Sequence, residues 1–142
     1  MKGALILLAA GALLSLVIFR GQAPAQILAA VETQPVVRSW DPETARARLG
    51  DDVLVVDGRK GGRGVRPKGA LGIPFEDRRD GTFVLPEGWE VRAVLVVMER
   101  ARATEARELA KWLAAEWGLP EVATLRGGIE AWQAAHLPVE VR

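Results

Sequence analysis

Two short runs, VLVV at residues 53–56 and AVLVVM at residues 93–98, are apolar at every position. A strand with one face in water alternates apolar and polar residues, so an unbroken apolar run suits a strand covered on both faces. Around these runs, helix-like and strand-like units alternate. Residues 39–50, SWDPETARARLG, read as a short helix with a cap at Ser39 or Asp41, Pro42 near the first helical position and a stop at Gly50. Residues 104–117 place Ala106, Leu109, Ala110 and Leu113 on one helical face, and Gly118 ends that helix. GALGIP (69–74) is a second, short strand, and GTFVLPEGWE (81–90) is a turn, a brief extended piece and another turn. EVATL (121–125) is a further strand, GGIEAWQAA (127–135) a closing helix and LPVEVR (137–142) an extended tail.

Strands that alternate with helices predict an α/β fold, a mainly parallel sheet of about four to five strands with helices on both faces. In such sheets ligands sit beyond the carboxyl ends of the strands. The loops at 57–60 and 99–104 both follow the ends of the apolar runs, so a site is expected there.

The chain of 142 residues contains no cysteine. That excludes disulfides, thiolate metal sites, a protein persulfide and cysteine-based catalysis. It leaves the redox compartment open, because a chain without thiols is indifferent to oxidation. A single histidine, His136, cannot build a zinc site and is read as a surface residue, so no metal is expected, and no cofactor is called for. Nineteen basic residues stand against 18 acidic ones, which gives no reason to expect nucleic acid.

The first twenty residues, MKGALILLAAGALLSLVIFR, hold an uncharged and mostly apolar run at 3–19, bounded by Lys2 and Arg20. As a helix the run would span about 26 Å, slightly short of the roughly 30 Å hydrocarbon core, and Lys2 and Arg20 could snorkel to close the gap. The small residues APA at 23–25 offer a cleavage site, so residues 1–25 are either a signal anchor or a signal peptide, a buried core helix being the third and weakest reading. Either of the first two delivers the rest of the chain to a membrane or exports it to the periplasmic or extracellular side. Lys2 and Arg20 nearly cancel under the positive-inside rule, which leaves the orientation open. Residues 26–36 read as a tether and 37–142 as the folded domain.

The order of motifs resembles the rhodanese family. VLVVDGR matches the family's strand ending in Asp-x-Arg, GALGIP its Gly-Ala and Ile-Pro segment, AVLVVM the strand before the active loop, and VATLRGGIEAW its Gly-Gly-x-x-x-Trp close at Gly127, Gly128 and Trp132. The trailing LPVE is similar as well. The resemblance covers residues 37–142 and implies a rhodanese-like fold. It also implies a loop whose cysteine takes sulfur from a donor and passes it on, and which reaches a Ser or Thr at the next helix. Counting back five places from Thr104 puts the cysteine position on Glu99, and six places puts it on Met98.

Neither residue can take the cysteine's place. Sulfur transfer needs a soft, polarisable nucleophile, and a thioether has no proton to lose. A carboxylate at position 99 would also repel an anion held by the loop amides, at about 4 kcal/mol for like charges about 4 Å apart at an effective dielectric of about 20. Arg100 and Arg102 restore positive charge, and Arg63 stands where the resemblance implies a substrate-binding arginine, so Arg63, Arg100, Arg102 and Thr104 form a candidate site for a small oxyanion. The plainer reading leaves both loop arginines solvated with Glu99 paired to one of them. Asp57 and Arg59 are expected to support the loops, Thr104 to cap its helix, and Trp112 and Trp132 to be core or partial core.

Many rhodaneses carry a helix between the Ile-Pro segment and the active-loop strand, whereas residues 75–92 show turn signals and no helical stripe. That side of the sheet is expected to be thin, with Phe83 and Trp89 covering it or forming a patch for a partner. The function expected is a catalytically inactive rhodanese-like domain at or across a membrane, binding an unknown protein partner. Alternatives are a hydrolase-like enzyme with Glu99 or Asp57 as general base, sulfur transfer with a thiol from a partner chain, and a structural cap on a membrane complex.

Overall fold

The computed structural model describes residues 35–61, 64–81, 83–85 and 87–141. The expected hydrophobic helix, the anchor or signal at 1–25, most of the tether and Arg63 lie outside the described residues.

Both apolar runs become the centre of a sheet. In chain order the elements are β1 (Val37–Trp40), α1 (Pro42–Arg48), β2 (Val53–Asp57), β3 (Val65–Pro67), β4 (Leu71–Gly72), a 3-10 turn at Phe75–Asp77, β5 (Ala93–Val97) and a second 3-10 turn at Arg100–Arg102. Then follow α2 (Ala103–Trp117), β6 (Glu121–Leu125), α3 (Gly128–Ala134) and β7 (Val139–Val141). Five strands form one sheet in the order β1-β6-β5-β2-β4, parallel at every pairing. β2 and β5 run side by side from Val53 opposite Ala93 to Asp57 opposite Val97, so their carboxyl ends finish together.

Successive side chains of a strand point to opposite faces, and both faces here are covered. On one face Leu54, Val56, Val94 and Val96 meet Ala106, Leu109, Ala110 and Leu113 of α2. On the other, Val53, Val55, Leu95 and Val97 meet Ala45 of α1 and Ile129 and Trp132 of α3. The α/β class, the parallel sheet and the helices on both faces are as the sequence predicts.

Several local expectations change. The cap of α1 is Asp41, whose Oδ1 accepts from the Thr44 amide at 2.7 Å, while Ser39 lies inside β1. Thr104 is not an N-cap. The Arg100–Arg102 turn runs straight into α2, whose cap position is Arg102 with no side-chain bond, so Thr104 sits exposed in an already helical first turn. Gly118 ends α2 in the left-handed conformation, φ 61°. The tail is not merely extended, because β7 pairs antiparallel with β3 and sets Arg66 opposite Glu140. Between the Phe75–Asp77 turn and β5 the described residues form no α-helix. Phe83 packs against the core there and accepts the Trp117 indole N–H on its carbonyl at 2.9 Å, whereas Trp89 is 48% exposed.

Leu109 and Leu95 are fully buried on opposite faces of the sheet. Leu109→Ala and Leu95→Ala are each expected to cost about 2–5 kcal/mol in urea unfolding with little change in slope, whereas Val84→Ala, at an exposed position, should stay within about 0.5 kcal/mol.

Candidate functional site

A cavity of about 180 Å³ opens at the shared carboxyl end of β2 and β5, walled by Asp57, Arg59, Lys60, Gly61, Gly64, Arg66 and Glu99. A larger groove of about 950 Å³ lies at the opposite end of β2, along residues 49–55, and gathers no comparable cluster of interacting charges. The small cavity stands where parallel sheets place their ligands.

The loop after β2 is built on Asp57, which is buried. Its Oδ1 accepts from the Arg59 amide at 3.0 Å and from Arg59 Nε at 2.9 Å, and its Oδ2 accepts from Arg59 Nη2 at 2.8 Å. Nη2 donates again to the Val65 carbonyl at 2.9 Å, which ties the end of β2 to the start of β3. Bidentate pairing of this kind fixes direction as well as distance. The carboxylate of Asp57, through its side-chain bonds, holds the Arg59 pKa above its ordinary value.

The loop after β5 is positioned by α3. Gly127 and Gly128 are both left-handed, φ 81° and 62°, and a side chain on Gly128 would meet the Met98 carbonyl, lie 2.7 Å from the Arg100 nitrogen and 2.8 Å from the Glu99 carbonyl carbon. Only glycine lets the helix start so close to the strand end. That approach allows the Ile129 amide to donate to the Met98 carbonyl at 2.8 Å and the Arg100 amide to donate to Glu130 Oε2 at 2.9 Å. The Arg100 N–H lowers the Glu130 pKa below the ordinary 4.5, with a further contribution from Glu130's own amide. Met98 itself is buried in the α2-side core, so Glu99 is the residue of the pair that reaches the cavity.

Of the anion-site residues expected from sequence, Arg100, Arg102 and Thr104 are not on the cavity wall. Arg102 donates to Glu76 Oε1 at 2.7 Å, lies 3.8 Å from Glu105 and sits over the Phe75 ring. The expected pairing of Glu99 with Arg100 or Arg102 is not formed, because Glu76 and Glu105 hold Arg102, and α3 holds the backbone of Arg100. Glu99 Oε2 is sealed from solvent and has no hydrogen-bond partner. An unmet buried acceptor costs about 1–3 kcal/mol.

Every cation on the wall already has a carboxylate. Arg59 has Asp57, Lys60 lies 3.8 Å from Asp77, and the buried Arg66 donates from Nε to Glu140 at 2.6 Å. Sequence reasoning placed Lys60 in an expected site loop without giving it a role, and missed Arg66, Glu130 and Glu140. Glu130 alone carried a signal, as an acidic residue in the first turn of a helix that opens on Gly-Gly.

The fold and site thus define a parallel α/β domain in which two adjacent strand-end loops enclose a small, internally paired charged cavity. The chain belongs to the rhodanese family. It is 33% identical to a rhodanese homologue from the extremely thermophilic bacterium Thermus thermophilus, matching 99% of that chain over 66% of its own, with a TM-score of 0.52. A rhodanese-related protein from Thermoplasma volcanium shares the fold at TM-score 0.57 and 17% identity, over 74% of this chain and 99% of that one. A protein from Bacillus halodurans does so at 0.54 and 23%, over 86% of each. No family model matches the sequence, and no curated protein does.

Two measurements test this geometry. Glu99→Gln removes a half-buried, unpaired charge and is expected to raise stability by about 1 kcal/mol at pH 7 in urea unfolding, and an unchanged or lower value would show the carboxylate to be satisfied. Glu130, Glu121 and Glu76 all have pKa values below 4.5, through the Arg100 amide, the Arg48 side chain and Glu76's own amide respectively. Depressed carboxylate values contribute stability that is present above pH 4.5 and lost as pH falls through the folded values. Melting temperature should therefore drop below that pH, with a shallower slope in Glu130→Gln.

Proposed function

We propose that this chain is a catalytically inactive rhodanese-like domain that acts as a binding or regulatory module, held at a membrane or exported across it by residues 1–25. The reading is supported by the absence of cysteine from the chain and by the carboxylate of Glu99 on the cavity wall, one of the two positions, with Met98, to which the resemblance assigns the nucleophile. Glu99 has no polarisable lone pair on sulfur with which to hold a persulfide. A hydrolase-like mechanism gains little support, since Asp57 is committed to Arg59 through three hydrogen bonds and no described nucleophile faces Glu99.

The residual oxyanion site is the weaker form of the proposal, because the wall cations are paired and Arg102 is turned to Glu76. Membrane delivery rests on the apolar run at 3–19. Among the described residues no helix is long and apolar enough to span a bilayer.

The purified full chain, given thiosulfate and cyanide, is expected to form thiocyanate no faster than buffer alone. Turnover above that background, absent any added thiol, would overturn the reading. In membrane preparations an anchored chain should resist alkaline carbonate extraction at full mass. A processed one should be released with its new N-terminus near Gln26, and a soluble chain of full mass would refute membrane delivery in either form.

A further inference from the structure

The cavity holds a mismatch that its family resemblance does not predict. Arg59, Lys60 and Arg66 each have a carboxylate partner, and the carboxylate of Glu99 makes no hydrogen bond or ion pair among the described residues. Arg59 and Arg102 both feel the Glu99 charge, yet the hydrogen bonds that their side chains make go elsewhere, to Asp57 and Val65 and to Glu76. Glu130, also close enough to Arg59 to act on it, takes only backbone N–H groups. Among the described residues the charge left over at the strand ends is therefore negative. A carboxylate oxygen sealed from solvent is stabilised by a paired charge or by donors, so the missing partner is a donor that carries positive charge.

Size narrows the class. About 180 Å³ is below the roughly 300–1,000 Å³ of pockets for drug-sized molecules, and it fits the head of a single side chain. We propose that this cavity is a receptor for one primary ammonium or guanidinium group on a flexible aliphatic stem, with Glu99 as the residue that binds it. The proposal rests on the reading of the domain as a non-catalytic binding module and names the ligand chemistry of its site. It also reverses the sign of the ligand, since the anion site implied by the resemblance would need the wall cations released from their carboxylates. Lys and Arg side chains of a partner polypeptide carry this group, and so do free alkylamines.

The test titrates the full chain at pH 7 with butylammonium, Nα-acetyl-lysine methylamide and Nα-acetyl-arginine methylamide. Nα-acetyl-norleucine methylamide serves as the neutral isostere, thiosulfate as the anion, and the readouts are thermal shift and the amide signals of Gly61 and Gly64. The expected result is a saturable response to a cationic ligand, none to norleucine, and binding at least tenfold weaker in Glu99→Gln but unchanged in the exposed control Glu87→Gln. Butylammonium binding as well as the lysine derivative would assign a free amine, and binding only of the amino-acid derivatives would assign a polypeptide side chain. Three results overturn the proposal: thiosulfate binds and the amines do not, the amines bind Glu99→Gln equally well, or they bind only after Arg63→Ala, which would mean that the chain supplies its own cation. The thiocyanate assay decides the wider reading independently, so absent amine binding with absent sulfur transfer would sink this inference alone.

Discussion

A hydrogen bond from the Ile129 amide to the Met98 carbonyl joins the end of β5 to the beginning of α3, and the site is arranged around it. The bond exists because Gly128 has no side chain to strike that carbonyl. Once the helix start is seated there, Glu130 lies within reach of the Arg100 amide, and the backbone of the loop is pinned from one side. Met98 is left pointing into the core and Glu99 toward the cavity. Further along α3, the buried Trp132 donates its indole N–H to the Pro138 carbonyl at 2.9 Å, which starts the chain back toward β3. The Gly-Gly-x-x-x-Trp pattern is thus a mechanical unit. Its glycines allow the close approach, and its tryptophan anchors the return that brings Glu140 to Arg66.

Charge in the cavity follows from these placements. Five basic side chains lie on or beside the wall, and four of them are claimed by Asp57, Asp77, Glu140 and Glu76, drawn from β2, the turn after β4 and β7. Such pairs settle the direction of each guanidinium, and removing one partner leaves the other exposed to its full desolvation cost. An incoming anion would have to compete with a carboxylate already in place at each described cation of the wall. A cation meets Glu99 without displacing anything, and that asymmetry decides the polarity of the site.

The parts of this architecture that sequence reveals are those with unbroken pattern. β2 and β5 are apolar at consecutive positions, α2 repeats its apolar residues at helical spacing, and both signals survive because burial on two faces or on one stripe leaves a periodic trace. β1 is not legible as a strand, since in Val37–Trp40 only the end residues are buried and no alternation results. β3 and β7 each have three residues, too few for a period, and their pairing brings together positions 74 apart in the chain, which no local pattern records. A cap at Thr104 fails for a related reason, because the 3-10 turn that starts the helical path earlier depends on contacts of the loop with Glu130. Sequence places Glu99 in the loop after β5, but its lack of a partner follows from where carboxylates elsewhere in the chain hold the nearby cations and cannot be read from its neighbours Arg100 and Arg102.

The fold does not depend on what its strand-end loops carry, for a physical reason. Neither packing layer of the sheet contains Glu99, Arg59 or Asp57, and the layers are filled by Leu54, Val56, Leu109 and Leu113 on one side and Leu95, Val97, Ile129 and Trp132 on the other. Those residues set the stability of the domain and hold the two loops at their separation whatever the loops carry. Chemistry at position 99 can therefore be replaced without repacking the core, in keeping with the general separation of scaffold from site. Replacement is not free of consequence at the site itself. The cavity leaves one oxygen of Glu99 without a hydrogen-bond partner, and under our proposal that carboxylate sets the charge of the ligand.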